Sequence, residues 1–210
     1  MIVKQIPIGS MENFSYLIAD PATRTCGVID PAFSPKKLLN IADAEGLSIT
    51  HIINTHSHPD HTSGNAEIKA ATKALILIHE ADGGNLGKLF NNAGALLFGG
   101  KSSPPPDRLL THGETIAIGA VSLTVLHTPG HTKGSICLYG SGNVFTGDTL
   151  FVGAVGRTDF PGGSLTTLIR SVHEQIYTLP GDTIVWPGHD YGETPTSTVR
   201  REIETNLFTR

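Results

Sequence analysis

The chain has 210 residues and a mass of 22.2 kDa, enough for one well-buried core, and reads as a single domain over 1–210. Fifteen Lys and Arg against nineteen Asp and Glu leave a formal charge of −4 and a pI near 6.2, which gives no electrostatic case for nucleic acid or an anionic membrane. No segment approaches the roughly 18 uninterrupted apolar residues of a membrane span, and Met1-Ile2-Val3-Lys4-Gln5-Ile6 lacks a signal-peptide core, so the expected compartment is the cytoplasm.

Short strands are expected first, at Ile2–Ile8, Phe14–Ala19 and Cys26–Ile29. A helix follows with Ser34 as N-cap, Pro35 at N1, an apolar side of Leu38, Leu39, Ile41 and Ala42, and Gly46 as its end. Ile52–Asn54 reads as a strand leading into a histidine-rich loop. Asn65–Thr72 is the next helix, and Ala74–His79 a buried strand through Leu75, Ile76, Leu77 and Ile78. Gly83 to Lys101 is glycine-rich, runs on into Pro104-Pro105-Pro106, and reads as a flap over the sheet or a lid on a substrate.

The second half repeats the rhythm. Thr115–Ile118 and Val121–His127 form a hairpin around Gly119-Ala120, and Ser135–Tyr139 and Asn143–Thr146 another around Gly140-Ser141-Gly142. A helix over Leu165–Leu179 capped by Ser164, a strand at Thr183–Trp186 and a helix at about Thr198–Glu204 complete the chain. The pattern is that of a layered α/β fold. Cys26 and Cys137 sit in apolar runs away from any ligand pattern and read as buried free thiols.

The run Thr55-His56-Ser57-His58-Pro59-Asp60-His61 carries the chemistry. Imidazole and carboxylate are ligands of zinc and iron. On an extended backbone His56 and His58 share a face, whereas Asp60 and His61 follow a proline, where the chain must turn, and point elsewhere. Three later segments each place one potential ligand beside Gly or Pro at a strand end: Thr128-Pro129-Gly130-His131, Thr146-Gly147-Asp148 and Trp186-Pro187-Gly188-His189. One metal would take His56, His58 and His131, and another Asp60, His61 and His189. Asp148 would bridge them. His51, His79, His112, His127 and His173 lie outside these motifs and are assigned structural or surface roles.

With His-x-His-x-Asp-His at 56–61, then His131, Asp148 and His189 in order, the chain resembles the metallo-β-lactamase superfamily, and within it the glyoxalase II-like branch. The resemblance implies a four-layer αββα sandwich and two divalent metals, with zinc the first expectation and iron or manganese also compatible. It implies hydrolysis by a hydroxide held between the metals, with Asp60 orienting it and Asp148 bridging as the catalytic carboxylates. A thioester suits such a site, because a thiolate of pKa about 8.5 leaves without strong acid help.

The substrate is then a small-molecule thioester or another thiol-derived compound. The chain ends 21 residues after His189, room for one helix, so the helical domain on which glyoxalase II enzymes hold glutathione is not expected. Gly156-Arg157-Thr158-Asp159, Ser171–Asp182 and His189-Asp190-Tyr191 are similar to the persulfide dioxygenases of the same superfamily. Those use a single Fe(II), which would map onto His56, His131 and Asp148. That is the alternative function, and a metal-binding protein without catalysis is the third. A β-lactamase role is not expected, since such enzymes typically place cysteine at one second-metal position. Arg157, Lys133 and Tyr191 are the candidate substrate contacts; Arg157 would otherwise pair with Asp159, Lys133 sit solvated and Tyr191 pack as an aromatic. Self-association is compatible with an enzyme of this size.

Overall fold

The computed structural model describes residues 1–9, 11–87 and 101–210. The first half contributes strands β1 (Ile2–Ile8), β2 (Asn13–Ala19), β3 (Thr25–Ile29), β4 (Ser48–Ile53), β5 (Leu75–His79) and β6 (Arg108–Leu110), which form one sheet in that order. The first three are antiparallel and the last four parallel. Helices α1 (Pro35–Ala44) and α3 (Asn65–Thr72) make the crossovers between parallel strands, and the one-turn helices α2 (Pro59–Thr62) and α4 (Glu80–Gly83) follow β4 and β5.

The second half contributes β7 (Thr115–Ile118), β8 (Val121–His127), β9 (Ile136–Gly140), β10 (Asn143–Gly147), the short ribbon β11 (Leu150–Phe151) with β12 (Ala154–Val155), helix α5 (Leu165–Ser171), β13 (Ile184–Pro187), β14 (Ser197–Thr198) and α6 (Val199–Thr205). Its main sheet has the order β14-β13-β10-β9-β8-β7. The hairpin β9–β10 closes through Ser141 and Gly142 at φ +50° and +72°, the doubly left-handed turn that suits a twisted two-residue loop.

Period-two alternation decides which face each residue takes. On β2, Leu17 and Ala19 point outward to Leu38 and Ala42 of α1 and Ile68 of α3, while Tyr16 and Ile18 point inward to Ile116, Leu123 and Phe145 of the second sheet. On β9, Ile136 and Leu138 face that same central layer, and Cys137 faces Leu168, Val172 and Val199 on the other side. Helices therefore cover both outer faces of two stacked sheets, and the four-layer αββα sandwich is present. Because the central strands are buried on both faces, they read as unbroken apolar runs.

The expected strands are present, with ends shifted by one or two residues except for β4, which begins at Ser48 rather than Ile52. Four short strands, β6, β11, β12 and β14, carry too few residues for a period to show. The turn expected after Pro59 is a single helical turn with proline at N1. One expectation needs correction. The helix expected over Leu165–Leu179 is α-helical only to Ser171, then widens into a π turn over Val172–Ile176. Cys26 and Cys137 are buried and free, as expected. Most of the glycine-rich segment expected as a flap or lid lies outside the described residues. Among the described residues no helix is long and apolar enough to cross a membrane.

Candidate metal centre

All the ligand-bearing loops leave the same end of the sandwich. β3, β4 and β5 run parallel, and β8 shares the direction of β10 and β13, because β8 and β10 are both antiparallel to β9 and β10 is parallel to β13. Their C-terminal ends lead to Asp30, His56, Asp82, His131, Asp148 and His189 respectively. Polar groups cannot continue into the apolar core, so they collect where the strands stop.

The residues expected as ligands come together as three overlapping triples: His56, His58 and His131; Asp60, His61 and His189; and His56, His61 and Asp148, with donor atoms in each within 4.8 Å of one another. Asp148 joins the halves. Its Oδ1 lies 3.2 Å from His61 Nε2 and 3.5 Å from His189 Nε2, and its Oδ2 lies 3.5 Å from His131 Nε2. Gly188 makes this approach possible, since a Cβ there would sit 2.5 Å from Asp148 Oδ1.

The rings are oriented from behind. His131 Nδ1 donates to the Arg157 carbonyl at 2.7 Å, His189 Nδ1 to the Met11 carbonyl at 2.8 Å, and His61 Nδ1 to Asp30 Oδ2 at 2.9 Å. The Thr55 hydroxyl donates to Asp30 at 2.6 Å and so accepts from His56 Nδ1 at 3.1 Å. With the rings neutral, as metal binding requires, these bonds leave Nε2 of all four as lone pairs facing inward. Lone pairs then face lone pairs: His131 Nε2 is 2.9 Å from His58 Nδ1 and 3.3 Å from His56 Nε2, and His61 Nε2 is 3.2 Å from His189 Nε2. Asp148 Oδ1 is buried and without a hydrogen-bond donor. Acceptors converging on acceptors call for cations between them, and the donor set fits zinc or iron.

Without metal, protons take that place. Burial disfavours the charged form of His189, but Asp148 and Asp60 outweigh it and lift the ring to about 9. His61 is raised in the same way, burial being outweighed by Asp148, Asp60 and Asp30. Burial pushes His58 down to about 4, assisted by His131, and holds His56 well below its ordinary value, assisted by His61 and His131. Asp60 and Asp148 stay ionised, because the histidines overcome the effect of burial. Charge is thus concentrated in the half around Asp60 and His189.

Two buried carboxylates outside the sequence motifs hold this arrangement. Asp30 accepts from Thr55 N–H at 2.8 Å as well as from Thr55 Oγ1 and His61. Asp82 binds the loops on either side of His58 and His131. Asn13, at the start of β2, donates to the Asp60 carboxylate and carbonyl at 3.2 Å each. The one signal in sequence for Asp30 is a polar residue closing a buried strand before Pro31; Asp82 has none as clear.

The ligands open on a cleft of about 1140 Å³ with apolar walls that include Met11, Phe151, Val155 and Phe160. Arg157, Lys133 and Tyr191 line it too. The Arg157 guanidinium makes two 2.7 Å bonds to Asp159 and lies 4.0 Å over the Phe160 ring, the ion-pair arrangement the sequence also allowed. Lys133 is exposed. Tyr191 stacks on His189 with ring centres 4.6 Å apart, so it backs a candidate ligand at the cleft wall. Of the remaining histidines, His79 and His127 stack on each other at 4.0 Å.

Residues 10–189 match the family model described as metallo-beta-lactamase superfamily. A hydroxyacylglutathione hydrolase of Polaromonas sp. is 40% identical over 92% of this chain and 68% of its own length. The persulfide dioxygenase ETHE1, mitochondrial, of Homo sapiens is 34% identical over 92% of this chain and 70% of its own. Among solved structures, the BLEG-1 B3 metallo-beta-lactamase superposes with a TM-score of 0.90 at 31% identity, covering 99% of both chains. TTHA1623 in a di-iron-bound form gives 0.86 at 32% identity, covering 98% of this chain and all of that one. Sandwich, ligand order and these similarities agree: the chain belongs to the metallo-β-lactamase superfamily.

Proposed function

We propose that the protein is a two-metal hydrolase of thioesters, similar in its reaction to the hydroxyacylglutathione hydrolases among its relatives. One observation carries this reading: the Asp148 carboxylate presents one oxygen to the histidines of each half of a seven-residue donor set. His56, His58 and His131 would hold one divalent metal and Asp60, His61 and His189 the other. Such metals supply acidification of water to a pKa of about 7 and polarisation of the attacked carbonyl.

The chain's own residues do the rest. Asp60 is ionised and faces the cleft, where its carboxylate orients a water for attack. The apolar walls exclude bulk water and seat the acyl and thiol portions. The thiolate departs without a proton, so no acid is required of the chain. Lys133 and Arg157, on the cleft wall, are the contacts proposed for an anionic end of the substrate, with Tyr191 beside the second metal.

A second reading, persulfide oxidation at one iron on His56, His131 and Asp148, is favoured by the similarity to the human persulfide dioxygenase. The deciding experiment is a panel on protein loaded separately with zinc and with iron. S-lactoylglutathione and simpler acyl thiols test the first reading, glutathione persulfide with oxygen electrode detection the second. A β-lactam is included because of the resemblance to BLEG-1. Thioester turnover with either metal, without oxygen uptake, supports the proposal. Oxygen uptake confined to the iron form with no thioester turnover replaces it by the second reading.

A further inference from the structure

Asp82 lies in the single helical turn after β5, with its side chain buried. Three donors from two separate loops converge on it. Its Oδ2 accepts from Ser57 N–H at 2.9 Å and from Thr132 Oγ1 at 2.9 Å, and its Oδ1 accepts from Gly134 N–H at 2.9 Å. Ser57 stands between His56 and His58, and Thr132 follows His131. These three histidines form the donor triple of one metal position, which Asp148 joins to the other.

We infer that Asp82 is the positioning residue for that first metal position: one carboxylate locks the two loops that supply its ligands to each other. The inference rests on the metal reading of the site, not on which reaction follows. The clamp is closely fitted. A Cβ at position 134 would lie 2.6 Å from Asp82 Cβ, so only glycine lets the 131–134 turn come this near. The short helix carrying Asp82 is fixed in turn, since His79 caps it by accepting Ala81 N–H at 3.2 Å and stacks on His127, whose Nε2 binds the Lys133 carbonyl at 3.0 Å.

The second position is held by other groups, Asp30 behind His61, the Met11 carbonyl behind His189 and Asn13 on Asp60. Asp30 also reaches the first position through Thr55. Among the described residues Asp82 makes no such link to Asp60, His61 or His189. Asp82 therefore supports the first position alone, while Asp30 reaches both.

The test is a competitive zinc titration of the 210-residue chain after metal removal. His58→Ala and His189→Ala assign the binding events, one removing a donor from each position. Asp82→Asn and Asp82→Ala are expected to weaken the event that His58→Ala weakens, by roughly ten- to hundred-fold. The other event should shift by no more than about two-fold.

Asp20 serves as the control. It too gathers three donors, Ala22 N–H, Thr23 Oγ1 and Ala120 N–H, but at the far end of β2 from Asn13, about 23 Å away at ~3.3 Å per residue. Asp20→Asn should lower the thermal midpoint of the metal-free chain and leave both affinities at the wild-type level. Should Asp82→Ala fail to fold, Thr132→Val removes one bond of the clamp and is expected to weaken the same event. Wild-type affinity at the first position in the Asp82 variants, or parallel loss of both events with the metal-free midpoint, would overturn the inference.

Discussion

His61 and Asp30 form a buried pair in which ring Nδ1 stands 2.9 Å from a carboxylate oxygen, with both side chains almost without solvent contact. The bond fixes the tautomer that turns His61 Nε2 toward Asp60, Asp148 and His189. Asp30 itself adopts φ +48°, a conformation that asparagine tolerates at least as well. Asp30→Asn therefore changes charge while keeping the backbone. It is expected to lower metal affinity at the second position by roughly ten- to hundred-fold, read by chelator competition. Wild-type affinity would contradict the role given to the pair.

His189→Ala removes a donor from one triple and leaves His56, His58 and His131 intact. Bound metal should fall from two per chain to one, measured by elemental analysis. Thioester turnover should fall by at least about 100-fold, as for loss of metal polarisation worth several kcal/mol. A one-iron enzyme would keep its metal in this variant.

Metal uptake should be steeply pH-dependent. His189 titrates at about 9 in the metal-free protein and must lose its proton to bind. Apparent affinity at the second position is expected to rise about ten-fold per pH unit, or more because His61 is also raised, up to about pH 9. The stability of the metal-free chain moves the other way. A histidine whose folded value is raised stabilises fully below its unfolded value of about 6.5 and stops doing so as pH passes the folded value. The thermal midpoint without metal should fall between pH 6.5 and 9; calorimetry with and without metal across that range checks both signs.

Gly130→Ala tests the seat of His131. Gly130 has φ +139°, and a Cβ there would overlap the backbone of Leu168 in α5. The turn must shift, carrying His131 with it. First-position affinity and turnover should both drop, whereas Gly142→Ala, strained at φ +72° but facing open space, should cost about 1 kcal/mol of stability and leave metal binding intact.

The seven candidate ligands stood out in the sequence because five of them sit directly beside glycine or proline, and four of the seven fall within six residues. Asp30 and Asp82 were not, because what identifies them is a partner 25 residues away, Thr55 for one and Ser57 for the other. The strands of the two central layers announced themselves as apolar runs, while β6, at three residues, takes its identity only from its pairing with β5. The π turn at Val172–Ile176 keeps Val172 and Ile176 on one buried face at helical spacing, so its wider winding leaves no trace in the pattern. Arg157 could be read as a substrate contact or an ion pair, and only the fold shows Asp159 and Phe160 closing on it.

The central claim is most directly tested by titrating the metal-depleted chain with zinc while following both bound metal and hydrolysis of an acyl thiol under anaerobic conditions. The account predicts two metals per chain, with turnover appearing as the second is taken up and no need for oxygen. Saturation at a single metal, with turnover of a persulfide only when that metal is iron and oxygen is present, would contradict it.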